Sequence, residues 1–119
     1  MKYDKEQHNK KASENENFAV TLSDSTAGIE WAIVAYFYAA LHYVAAYFSL
    51  SGRFHASHGT RLRDISKDPV LVTIYDEYQE LYNLSRDARY ECMNLRHTHL
   101  AFAKKKLAAI KKVVSPHLL

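Results

Sequence analysis

Trp31–Leu50 reads WAIVAYFYAALHYVAAYFSL, twenty residues of which only His42 and Ser49 are not apolar. A run this long belongs either to a membrane span or to a helix buried on most sides in a helical domain. Three features point to the buried helix. Alanine and tyrosine dominate rather than leucine and isoleucine, so transfer into lipid would gain little. Tyr36, Tyr38, Tyr43 and Tyr47 are spread along the run, whereas membrane helices hold such rings at the interfaces. His42 would also sit near mid-bilayer, where an imidazole without a partner is costly. A single span is the alternative reading.

The rest of the chain bounds the architecture. Its 119 residues suit one domain with one hydrophobic core. Only three glycines and two prolines are present, too few for a sheet with many tight turns, so the expected class is all-α. Cys92 is the sole cysteine, which excludes a disulfide framework and a four-thiolate zinc site. Sixteen Lys and Arg against thirteen Asp and Glu leave a net charge of +3, which permits a polyanionic partner without requiring one. The first seventeen residues are polar and lack the apolar core of a signal peptide, so a cytoplasmic protein without a membrane segment is expected.

Periodicity places the elements. Lys2–Leu22 reads as a polar helix whose apolar face develops late, at Phe18, Val20 and Leu22, with residues 1–10 expected to fray. Ser23–Gly28 reads as a loop with several candidate N-caps. A second helix is expected from about Ile29 to Ser51, stopped by Gly52. Gly52–His58 reads as a loop and Ser57 as the cap of a short helix to about Ser66. Asp68-Pro69 then pairs a cap with a first-turn proline to open a helix striped by Leu71, Ile74, Tyr75, Tyr78, Leu81, Tyr82 and Ser85. That helix either continues to Glu91 or breaks near Asn83, and Met93–His97 reads as a connection. Thr98 is the expected cap of a last helix with Leu100, Ala103, Leu107, Ile110 and Val114 on one stripe, ended by Pro116. The expected fold is a four- to five-helix bundle around a central buried helix, one domain over residues 1–119.

The densest polar group is Arg53, His55, His58, Arg61 and Arg63, all within eleven residues. Metal-free RNA cleavage needs a base for the 2′-hydroxyl, an acid for the leaving oxygen and fixed positive charge on the phosphorane. Histidine titrates near neutrality and arginine stays charged with a phosphate-matching fork. In that reading His58 is the acid/base, His55 assists, and Arg53 or Arg61 clamps the phosphate. The other reading is a solvated loop whose histidines cap helix ends. His55-x-x-His58 with Asp64 falls short of the roughly three or four protein ligands that zinc needs, so neither metal nor cofactor is expected.

A second cluster holds Arg86, Asp87, Arg89, Tyr90 and Glu91. It reads either as local ion pairing or as a surface where Arg86, Arg89 and Tyr90 join Arg63 in contacting phosphate and base, with Tyr90 stacking. His42 reads as a core imidazole bonded to a tyrosine hydroxyl or a carboxylate, or else as a residue at the floor of a cleft. Lys104–Lys106 and Lys111–Lys112 read as a solvated face or an RNA footprint. Phe102 lies off the apolar stripe and could mark a dimer or partner surface.

Three stretches carry a family resemblance. Trp31–Val34 with Phe37–Val44, the His55-Ala-Ser-His58-x-x-Arg61 loop, and Tyr82–Tyr90 together resemble the HEPN (higher eukaryotes and prokaryotes nucleotide-binding) domains over about Ala12–Val114. The resemblance implies a helical bundle that commonly pairs with a second copy. Many such domains are metal-independent endoribonucleases of toxin–antitoxin or antiviral systems, and others are inactive modules. An antitoxin or nucleotidyltransferase partner, and RNA or a nucleotide as ligand, come with the same resemblance. Active members carry Arg-x(4–6)-His, usually with a polar residue after the arginine and on a later helix. Here Arg53 and His58 match that spacing, but Phe54 holds the polar position and the element follows the second helix. Arg89 and His97 are separated by seven residues and Arg96 and His99 by two, outside the motif. Two functional classes therefore stand: a metal-independent ribonuclease, or a non-catalytic helical module that binds nucleotide, RNA or a partner.

Overall fold

A computed structural model describes residues 3–22, 26–90 and 94–119, and those residues form five α-helices and two 3₁₀ turns with no strand among them. The helices are α1 (Lys5–Val20), α2 (Thr26–Ser49), α3 (His58–Lys67), α4 (Tyr75–Tyr90) and α5 (His97–Val114). The expected all-α bundle is what forms. The long apolar run lies within α2, which packs against α1, α4 and α5. Ala32, Ala39, Ala40 and Ala46 are fully buried, so neighbouring backbones approach α2 closely, while Ile33, Val44 and Phe48 fill the space between them. Each of the larger side chains contributes roughly 1.5–3 kcal/mol on burial. By length and composition Gly28–Ser49 could cross a bilayer; 67% of its most apolar window is buried against the chain's own helices.

Several boundaries depart from the sequence reading, each for a local reason. Helix α1 starts at Lys5 because Asp4 and Gln7 form a capping box: Gln7 N–H donates to Asp4 Oδ1 at 2.8 Å and Asp4 N–H to Gln7 Oε1 at 2.9 Å. Its buried face is Ala12 and Ala19. Phe18 and Val20, expected to be that face, are 56% and 60% exposed. Small residues at the contact let α1 lie close to α2 and turn the bulky ones outward. Glu16 then ties three helices, accepting from the Tyr43 hydroxyl at 2.9 Å and from Lys111 Nζ at 3.0 Å.

Helix α2 begins at Thr26, three residues before the expected Ile29. Ser23–Ser25 of the expected loop, the expected helix end at Glu91 and Met93 of the expected connection lie outside the described residues, while residues 94–96 form that connection and His97 already opens α5. Asp68 does cap, its Oδ1 accepting from the Val70 and Leu71 N–H groups at 2.9 and 3.0 Å. It also ends α3, donating its own N–H to Asp64 O at 3.0 Å. One residue serving both ends forces a tight 3₁₀ turn at Leu71–Ile74 before α4 opens at Tyr75. Helix α4 runs unbroken through Asn83, which accepts from Gln79 Nε2 at 3.0 Å. Helix α5 is capped at Arg96 rather than Thr98: the His99 imidazole, three residues on, accepts the Arg96 N–H at 3.0 Å. The stripes expected on α4 and α5 face the core.

Candidate anion-binding cleft

Gly52 sets the geometry of the loop after α2. Its φ of 72° places it in the left-handed region. Its N–H bonds to Ser49 O and the Arg53 N–H to Phe48 O, both at 3.1 Å, which is a Schellman ending. The chain reverses and carries Arg53 back over the Phe48 ring, 4.6 Å from its centroid. There Arg53 Nη2 donates to Asp68 Oδ2 at 3.1 Å, and the Tyr47 hydroxyl donates to Asp68 Oδ1 at 3.0 Å. Burial pushes the Asp68 carboxyl up, but the Leu71 and Val70 N–H groups, Tyr47 and Arg53 outweigh it and hold the group below the usual range.

His55 follows, its ring edge-on to Phe48 and its Nε2 2.6 Å from Asp64 Oδ2. That contact is the chief reason the Asp64 carboxyl lies below the usual range. Arg61, on the first turns of α3, reaches back so that Nη2 donates to the His55 carbonyl at 3.1 Å. It is only 8% exposed, and among the described residues it has no ion pair.

Across the same space stand two histidines from other helices. His8 on α1 and His42 on α2 meet Nδ1 to Nδ1 at 3.0 Å. Burial, then His8, Lys11 and Arg61, bring His42 down to about 4. Burial and Arg61 lower His8, with Asp4 opposing. Both shifts favour the uncharged imidazole. Tyr3, His8, Leu41, His42, Ala45, Arg53, Phe54, His55 and Arg61 line a cleft of about 210 Å³. A neighbouring hollow of about 310 Å³ shares Tyr3, His8 and His42 and adds Gln7 and Lys11. Among the described residues no carboxylate lines either part.

Of the residues expected to form a site, Arg53, His55 and Arg61 come together here. His58 does not line the cleft. Its ring lies flat on Tyr82, centroids 3.4 Å apart, with Tyr78 beyond at 6.0 Å. Neither ring nitrogen has a hydrogen-bond partner among the described residues, and burial, Arg61 and Arg86 all lower its basicity. Ser57 caps α3 as expected, accepting the Thr60 N–H at 3.2 Å. Arg63 and Arg86 are exposed on α3 and α4.

Arg89 and Tyr90 face elsewhere. Arg89 donates to the Tyr38 hydroxyl and the Ser85 carbonyl, each at 3.3 Å. With Tyr90, 70% exposed, it lines a separate hollow beside Glu30, Trp31, Val34 and Ala88. Lysines of α5 are partly spoken for, Lys106 by Glu80 and Lys111 by Glu16, each at 3.0 Å.

His42 combines its two readings: it is half-buried and it lines a cleft, but its partner is a histidine rather than a tyrosine or carboxylate. His8 escaped the sequence reading. Its signal was spacing, since His8, Ala12 and Ala19 recur at four and seven residues and the two alanines mark the face of α1 that meets α2. No known protein family, curated protein or solved structure matches this chain.

Proposed function

We propose that this chain is a HEPN-like helical module that binds a nucleotide or RNA through a phosphate seated in the His8–His42–Arg61 cleft. One observation carries the reading: among the described residues Arg61 is a buried guanidinium with no ion pair, at the wall of a cleft that no carboxylate lines. Burying an uncompensated charge is costly, and an anionic ligand is the natural counter-ion. Lys11 adds positive charge beside the histidine pair, and Arg53, anchored to Asp68 through Nη2, lines the cleft as a further donor. Calorimetric titration with 5′-AMP and with a short single-stranded RNA tests the reading. Binding weakened about tenfold by Arg53→Gln supports it, a cost typical of one lost charge-assisted contact. Absence of binding to either ligand overturns it.

A second reading, a metal-independent ribonuclease, draws support from the His55–Asp64 contact of 2.6 Å. A carboxylate that orients an imidazole beside two arginines is the arrangement general acid–base chemistry uses. In that reading His55 takes the proton-carrying role first expected of His58. RNA incubated in EDTA with the protein would then give 2′,3′-cyclic phosphate ends, lost in His55→Ala. Intact RNA leaves the binding module alone. We further propose a cytoplasmic protein that pairs with a second copy. Phe102, 40% exposed beneath Lys106, is available for such a contact; sedimentation in detergent-free buffer tests the pairing, and fractionation of cells expressing the protein tests the location.

A further inference from the structure

The contact between His8 and His42 restricts what the pair can do with protons. At 3.0 Å between the two Nδ1 atoms, one ring must donate and the other accept. In the neutral pair the donating ring therefore has a bare Nε2 and the accepting ring an Nε2–H. One proton added at the bare Nε2 leaves the Nδ1 contact intact. It turns the pair into a single cation with two N–H donors directed away from that contact. A second proton would go to the accepting Nδ1 and break the bond. The pair is thus built to take one proton and to become a better anion receptor when it does.

What surrounds it decides when that happens. From α1 and the two residues before it come Tyr3, edge-on to His8 at 5.8 Å, together with Asp4, Gln7 and Lys11. From the loop after α2 and from α3 come Arg53, His55 and Arg61. Asp4 favours a proton on His8, whereas Arg61 and Lys11 oppose one on the pair. An anion placed among Arg61, Lys11 and the two rings reverses the balance by cancelling the positive field. Arg61, Lys11 and the singly protonated pair together present more positive charge than an internal phosphodiester balances, since it carries one negative charge on two oxygens. A terminal phosphate offers three oxygens and two charges.

We propose that the cleft takes a dianionic tetrahedral oxyanion, a terminal phosphate rather than a chain-internal one, and that the His8–His42 pair takes up one proton from solvent as it binds. The inference rests on the binding reading above and adds to it the ligand's charge state and a dependence on pH.

Sulfate is the probe of choice, because it stays dianionic from pH 5 to pH 8 and any trend belongs to the protein. Calorimetric titration of the full chain should show affinity rising about tenfold for each unit of falling pH, with heats in different buffers reporting about one proton taken up per sulfate. His42→Gln should flatten the trend. His8→Asn, on the outer helix, should do the same even where the central-helix variant folds poorly. At pH 7, 5′-AMP should bind at least tenfold more tightly than the dinucleoside monophosphate ApA, which lacks a terminal phosphate. Sulfate and AMP bound equally at all pH values, with no proton uptake, overturn the coupling and leave the binding reading standing. Equal affinity for ApA overturns the terminal-phosphate assignment. No binding of sulfate, AMP or RNA at any pH removes both.

Discussion

His42 makes the largest single contribution to the acid sensitivity of the fold. Its folded value of about 4 lies below the ordinary 6.5, so as pH falls the unfolded chain takes up the proton first. Stability that is fully present above about pH 6.5 is therefore lost progressively down to about pH 4. His8 and His58, both lowered by burial, act in the same sense. Melting temperature followed against pH should fall across this window, and His42→Gln should shallow the fall. Asp68 matters in another way. Its carboxylate, 5% exposed, serves Tyr47, Arg53, Val70 and Leu71 together. Asp68→Ala strands those donors and should cost about 3 kcal/mol in urea denaturation. Its two-sided role was half legible: Asp68-Pro69 announces a cap, but nothing local announces an arginine fifteen residues back.

At the scale of elements, the turn after α2 depends on one backbone conformation. Gly52 has a φ of 72° with open space where a Cβ would stand, so Gly52→Ala carries conformational strain and no clash. The expected loss is about 1 kcal/mol, read as a lower urea midpoint with unchanged slope, and Gly52→Asn should lose less. The same substitution should weaken ligand binding, because the turn delivers Arg53 and His55 to the cleft. Element types were readable because three- and four-residue spacing survives in α4 and α5 whatever they pack on. Boundaries were less so. Asp68 closing α3 while opening the next turn, and His99 capping α5 through its ring, are side-chain choices that propensity leaves open.

For the molecule as a whole, close approach to α2 is the organising constraint. Ala39 is fully buried in the central helix, and helices on several sides use the small residues of α2 to pack near its backbone. Ala39→Leu should cost roughly 1–3 kcal/mol, seen as a lowered melting temperature with helical circular dichroism retained at low temperature. The site belongs to this scale as well. His8 and His42 lie thirty-four residues apart, burial chiefly lowers both, and the arginine that adds to it comes from a third helix.

The sequence by itself determined an all-α bundle around Trp31–Leu50, because an apolar run with residues of helical propensity and few chain breakers has few other ways to bury itself. It also placed Arg53, His55, His58, Arg61 and Arg63 in one short stretch, of which Arg53, His55 and Arg61 reach the cleft. Only the tertiary structure decided that His58 turns onto Tyr82 and away from the cleft. It alone decided that Arg89 and Tyr90 face Trp31, and that His8 completes the pair with His42. Those outcomes depend on which faces of separate helices meet. That choice is made by the summed packing of the whole core, and no local stretch of chain encodes it.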